Sequence, residues 1–177
     1  FQLHGVIPDI ITLGKPLGNG HPIAAVVCTE EVADKFANGM EFFNTFGGNP
    51  VSCAIANEVL EVVQDHKLQS NAFEVGNYLK SRLKELALEH PILGSIRGQG
   101  LFLGIELITP RGFPLPVQAD YLVNRMKNSG ILMSTDGPDH NVIKIKPPLI
   151  FSIKNAQHLI KTLSKIMKED AMQPKLN

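Results

Sequence analysis

The sequence predicts an α/β chain, on three observations. Two apolar, β-branched runs flank a break rich in glycine and proline within residues 10–27. Apolar residues then recur at helical spacing through two successive segments, one from Val51 and one from about Leu68. Beyond Pro91 strand-like and helix-like segments alternate, which suits α/β or α+β organisation.

Taken in order, residues 9–14 (DIITLG) have the pattern of a buried strand. Residues 22–29 (PIAAVVCT) form a second one that runs into a helix start. Thr29, Glu30, Glu31 and Val32 suit a short helix with acids in its first turn, where the helix dipole favours them. Residues 38–50 are loop-like, with three glycines. Asn49-Pro50 is a strong helix start, Asn as N-cap and Pro at the first helical position. Val51, Ala54, Ile55, Val59, Val62 and Val63 make the stripe of that helix. A second amphipathic helix spans about 68–89, with Ala72, Val75, Leu79, Leu83 and Leu86 on one face and Pro91 closing it. Residues 92–107 suggest two strands joined at Arg97-Gly98-Gln99-Gly100. Residues 117–130 form a helix ended by glycine. Two short strands follow around a turn at Asp136-Gly137-Pro138. Ser152 then caps a last helix carrying Ala156, Leu159, Ile160, Leu163 and Met167, and the tail after about Asp170 is expected to fray. The join between two organisational units falls near residues 64–70, giving segments 1–66 and 67–177.

Composition narrows the function. Apolar residues are 44% and charged residues 19% of the 177, enough for a globular core. Seventeen basic and seventeen acidic residues cancel, so nothing points to nucleic acid or an anionic membrane. No apolar run approaches the roughly 20 residues of a membrane span. Residues 1–4 lack the basic start and long apolar stretch of a signal peptide. Cys28 and Cys53 make no metal or redox motif, so a reducing, cytoplasmic setting and small buried apolar roles are expected for them. The six histidines show no metal spacing. The chain begins with Phe1 rather than Met, and a piece of a longer protein is expected.

Three motifs carry chemistry. Lys15 stands in a break bracketed by Gly14, Gly18 and Gly20. A loop lysine is ordinarily a solvated charge. Between apolar strands, however, the local dielectric falls, an amine is easier to deprotonate, and a neutral amine forms Schiff bases. His21 in the same loop suits a structural role better than a site role. The segment NTFGGNP, residues 44–50, is either a plain glycine-rich loop or a phosphate loop, Thr45 offering a hydroxyl and free backbone N–H groups the rest. It is not a Walker sequence. Arg97 lies between an apolar run and a Gly-x-Gly turn. Such an arginine is more often an ion-pair partner, but the setting would hold a guanidinium rigidly toward a carboxylate or phosphate.

PDIITLGKPLGNGHPIAAV, FNTFGGNPVSCA and IRGQGLFLGIEL, in this order, together resemble the class-III aminotransferases, pyridoxal-phosphate enzymes of fold type I. The resemblance covers residues 1 to about 167. It implies the end of the cofactor-binding large domain in residues 1–66, and the connecting helix with the small C-terminal α+β domain in 67–177. Lys15 matches the lysine that forms the Schiff base with pyridoxal 5'-phosphate and shuttles the substrate's proton. Thr45 matches the threonine that bonds the cofactor phosphate of a neighbouring subunit, and Arg97 the arginine that commonly holds a substrate carboxylate. A homodimer with active sites at the interface is implied. Asn44, where many members carry Ser or Gly, and residues 134–152 look like the subgroup of ethanolamine-phosphate and phosphohydroxylysine phospho-lyases. The family's upstream elements for the cofactor phosphate, ring stacking and the pyridinium nitrogen have no match here. Three functions are thus open: amino transfer from an amino acid or amine, phosphate elimination from a phosphorylated amine, or a non-catalytic dimerisation or binding module. As a fragment, these residues are not expected to be active alone.

Overall fold

The structure is a computed structural model and describes residues 1–173. Its packing divides into two units, Phe1–His66 and a second that starts at Lys67.

In the first unit, β1 (Ile10–Leu13) and β2 (Ala25–Cys28) form an antiparallel pair, Ile10 opposite Cys28 and Leu13 opposite Ala25. The short helix α1 (Glu30–Phe36) follows Thr29, with Glu30 and Glu31 in its first turn as expected. After a loop comes α2 (Pro50–Asp65). Asn49 Oδ1 accepts from the N–H groups of Val51 and Ser52 at 3.1 and 3.2 Å, satisfying two of the helix's orphan donors.

Burial in this unit corrects the sequence-based expectation. β1 and β2 are mostly exposed, and so are Cys28 and Cys53, which had been expected inside. A two-stranded sheet has only two faces and one seam, and no layer of its own unit covers either face. The apolar stripe of α2 has helical spacing, yet Val51, Ala54 and Val62 remain exposed and only Ala56 is fully buried.

The second unit has a real core. α3 (Leu68–Glu89) follows the expected bounds, and Val75, Leu79, Leu83 and Leu86 are buried along it. Four strands lie in the order β3-β4-β6-β5: β3 (Leu93–Gln99), β4 (Phe102–Leu107), β5 (Ser134–Asp136) and β6 (Val142–Ile145). All the pairings are antiparallel, so of the two organisations left open this unit takes α+β. α4 (Pro116–Asn128) and α5 (Ile153–Ile166) complete it, α3 and α5 packing on each other and α4 against α5. Leu103, Ile105, Leu107, Ile143 and Ile145 face the helices from one side of the sheet. Each such side chain contributes roughly 1.5–3 kcal/mol by leaving water.

Polar contacts fix the frame. Buried Asn141 donates from Nδ2 to the Leu107 carbonyl at 2.9 Å, and Leu107 N–H donates back to the Asn141 carbonyl at 2.8 Å. Ser152 and Asn155 form a reciprocal capping box at the start of α5. Glu169 accepts from Arg125 Nη2 at 2.7 Å, Arg125 Nε at 2.9 Å and the Tyr121 hydroxyl at 2.6 Å. This holds the chain beyond α5 on α4. The expected fraying after Asp170 does not occur where the structure describes it: Asp170–Met172 form a 3-10 turn and Met172 is buried. Glu169's triple anchor and that methionine outweigh the terminal entropy. The rest of the tail lies outside the described residues.

Candidate active site

Lys15 opens a 3-10 turn, Lys15–Gly18, directly after extended Gly14. It is exposed, not enclosed by the strands, because the turn carries it outside both of them. Among the described residues it enters no ion pair. Two of the loop's glycines have visible reasons. A Cβ on buried Gly18 would lie 2.7 Å from Ile23 Cγ2, and Gly20 has φ +109°. Gly14 has neither constraint.

The turn packs against α2. His21 Nε2 and Ser52 Oγ are hydrogen-bonded at 2.8 Å, so the lysine loop is tied to the first turn of that helix. This bond gives His21 a structural part, in line with the role expected of it. Ser52 as its partner was not foreseen, since 31 residues separate them.

The Thr45 loop enters the same end of α2. Thr45 is exposed. Asn44 Oδ1 accepts from the N–H groups of Phe46 at 3.0 Å and Gly47 at 2.9 Å. This corrects one expectation: two backbone donors thought free for an anion are taken by Asn44, while the Thr45 hydroxyl bonds no other side chain among the described residues. The two loops named from sequence therefore converge on the N-terminal end of α2.

Arg97 belongs to the second unit. It sits inside β3 and not in the connecting turn, which is Gly100-Leu101. Strand geometry persists through Gly98 because glycine tolerates φ +116° there. Arg97 lies opposite Gly104, and Gly104 opposite Lys144, in one row across β3, β4 and β6. Directly opposed residues share a face of the sheet. Two cations thus flank a residue with no side chain, their Cα atoms about 9–10 Å apart by strand spacing. Glu106 and Asp136 occupy the next row on the same face, both opposite Val142. Arg97 Nη1 pairs with Glu106 Oε2 at 3.2 Å, and Lys144 Nζ with Asp136 Oδ2 at 2.6 Å. Lys144, with the Gly137 N–H, holds the Asp136 carboxyl below its ordinary value. A cavity of about 450 Å³ opens over this row, lined by Arg97, Gly98, Phe102, Gly104, Asp136 and Lys144. Sequence reading found Arg97 and missed Lys144. Alternation in VIKIK would have put Lys144 on the polar face, but which strand it would join was not legible.

A family model for class-III aminotransferases matches residues 1–167. The chain is 46% identical over 177 residues to an alanine–glyoxylate aminotransferase 2-like protein of Drosophila melanogaster, covering 96% of this chain and 36% of that protein. It is 42% identical over 167 residues to ethanolamine-phosphate phospho-lyase homolog 1 of Caenorhabditis elegans, covering 92% of this chain and 36% of that one. Among solved structures it resembles a phospholyase from Arthrobacter in complex with phosphoethanolamine. The TM-score is 0.90 and the identity 41%, over 94% of this chain and 40% of that one. The chain thus spans a little over a third of the length of the curated relatives it matches. With nearly all of its described length matched, the chain belongs to the class-III aminotransferase family.

Proposed function

We propose that the protein carrying these residues transfers an amino group from an amino acid or amine, with Lys15 as its catalytic residue. One observation carries the reading. Exposed Lys15, in no ion pair among the described residues, and the exposed Thr45 hydroxyl stand on two loops fastened to the same end of α2. The cofactor of the family is pyridoxal 5'-phosphate. The donor set suits that group, a primary amine for its aldehyde and, contributed from a second copy, a hydroxyl for its phosphate. When bound, it supplies an electron sink for the bonds at the substrate's α-carbon.

The chain's own residues have separable tasks. Lys15 Nζ holds the cofactor and then takes and returns the substrate's α-proton. The Thr45 hydroxyl donates to phosphate, in this reading that of a second copy. Arg97 and Lys144 hold the substrate's anionic group, exchanging their carboxylates Glu106 and Asp136 for it. The reading includes a homodimer, supported by Met40, Phe42, Phe43 and Phe46 exposed beside Thr45. It also includes a cytoplasmic setting, supported by free thiols at Cys28 and Cys53. Among the described residues no helix is long and apolar enough to cross a membrane.

The test is borohydride reduction of the full-length protein with pyridoxal phosphate, followed by peptide mass mapping. The label is expected on Lys15 and absent from Lys15→Ala, which also loses the cofactor's visible absorbance band. A label on another lysine refutes the assignment of Lys15, and no label at all favours a non-catalytic module. Thr45→Ala should weaken cofactor binding by roughly 1–3 kcal/mol, the effect of leaving a charged acceptor one partner short.

The likeness to the Arthrobacter phospholyase and the C. elegans relative supports a second reading, elimination of phosphate from a phosphorylated amine. Two cations over one cavity suit a dianionic phosphate as well as a carboxylate. Incubation with phosphoethanolamine and an assay of free phosphate decides; no release excludes that substrate.

A further inference from the structure

We infer that Lys80, on α3, is a positioning residue for Arg97. The inference rests on the reading of Arg97 as a holder of the substrate's anionic group, and it goes beyond that reading by assigning a residue outside the cavity.

The hairpin that carries Arg97 is gripped by α3 at two points. Half-buried Lys80 donates from Nζ to the Gly98 carbonyl at 2.8 Å. One turn earlier, Gly76 lies backbone to backbone on Gly100: a Cβ on Gly76 would come within 2.1 Å of the Gly100 oxygen. Between these contacts Gly98 holds φ +116°, and a Cβ there would meet the Phe102 carbonyl oxygen at 2.0 Å. The strand after Arg97 is therefore pinched against β4 in a conformation that glycine alone tolerates.

Glycine tolerates that conformation but does not select it, since its backbone is the most permissive of all. A selecting contact is needed, and the ammonium on the Gly98 carbonyl provides one. The peptide plane after Gly98 sets the direction in which β3 leaves Arg97. Gly98 also lines the cavity beside Arg97. Among the described residues Arg97 itself is held at its tip by one ion pair, to Glu106, which an incoming anion would displace. Once that pair opens, the backbone frame alone aims the guanidinium. A side chain that only stabilised the surface would act on all substrates alike, whereas this one acts on the anionic group alone.

The test compares Lys80→Met, Lys80→Arg and Arg97→Ala in the full-length protein. Two quantities are read: the Arg97 Nε–Hε order parameter by NMR, and KM and kcat for amines with and without a carboxylate. Lys80→Met is expected to lower the order parameter and to raise KM for the carboxylate-bearing amine about five-fold, the worth of one hydrogen bond at a half-exposed site. Its kcat, and both constants for the amine without a carboxylate, stay unchanged. Lys80→Arg restores both readouts. If Lys80→Met leaves them unchanged, or lowers kcat equally for every amine, while Arg97→Ala raises KM, the inference is overturned and the reading of Arg97 stands. If Arg97→Ala leaves KM unchanged, the reading of Arg97 fails and the inference falls with it.

Discussion

Gly76→Ala tests how closely α3 meets the β3–β4 hairpin. The new Cβ would stand 2.1 Å from the Gly100 oxygen, 2.3 Å from its carbonyl carbon and 2.7 Å from its Cα. Carbon–oxygen contacts settle near 3.3 Å, so helix and hairpin must part by about 1.2 Å. All three obstacles are backbone, which cannot swing away as a side chain does. The move would also loosen Val75 and Leu79, buried on either side of Gly76 in sequence. Overpacking costs about 1–3 kcal/mol and here belongs at the top of that range. Replacing glycine within a helix returns about 1 kcal/mol. The net expectation is a loss of about 2 kcal/mol, or a fall of about 1 M in urea midpoint at an ordinary m-value. The assay is convenient: the chain has no tryptophan, and its two tyrosines, Tyr78 and Tyr121, both belong to the second unit. Tyrosine fluorescence therefore follows that unit alone. Gly100→Ala serves as contrast, because its Cβ would find Ala72 O at 3.5 Å and meet only the strain of φ +55°, about 1 kcal/mol. A midpoint for Gly76→Ala equal to or above the parent's would refute the close backbone contact.

Three further outcomes follow from charge and backbone. Arg125, and then Tyr121, hold the Glu169 carboxyl at about 2, below its unfolded value, so its stabilisation is complete above about pH 4.5 and fades as pH falls toward 2. Glu169→Gln should flatten that acid limb in urea midpoints taken from pH 5 to 2; an unchanged slope would count against the triple anchor. Burial holds His90 below its ordinary value, with Glu89 opposing and Lys168 assisting, and its Nε2 is buried without a partner among the described residues. The unfolded chain then binds the proton first, so stability drops as pH falls through about 6.5, and His90→Phe should remove that drop between pH 7 and 5.5. Lys67 precedes α3 at φ +51°, and Lys67→Gly should raise the midpoint by up to about 1 kcal/mol in stability.

What was legible in the sequence was local. The five apolar positions from Ala72 to Leu86 place α3 to the residue, because a 22-residue helix with one apolar stripe leaves little choice. Asn49 and Ser152 announce their helices because a cap acts within three residues. What was not legible depends on partners far along the chain. Lys144 joins Arg97 only through β4, which pairs with β6 across some 40 residues. Ile10 to Leu13 and Ala25 to Cys28 look buried because β-branched residues usually are, but composition cannot say whether a covering layer lies in the same unit. Lys15, Thr45 and Arg97 stand out from the residues around them, and their roles come from the family likeness. Physical reading alone made Lys15 an enclosed amine, and it is exposed.

The His21–Ser52 bond has a consequence for local opening. In the first unit the apolar interior amounts to Ala56, and a lone two-stranded pair is marginal in water. With only these 177 residues present, the amides of β1 and β2 should therefore exchange with solvent far faster than those of β4 or β6, whose residues sit in a closed core. The packing of its turn and the His21–Ser52 hydrogen bond then hold the lysine loop on α2. A group bound to Lys15 would steady the same loop, and its binding energy would become protection of those amides. Deuterium uptake across residues 10–28 would serve as a titration of occupancy, with no reaction required.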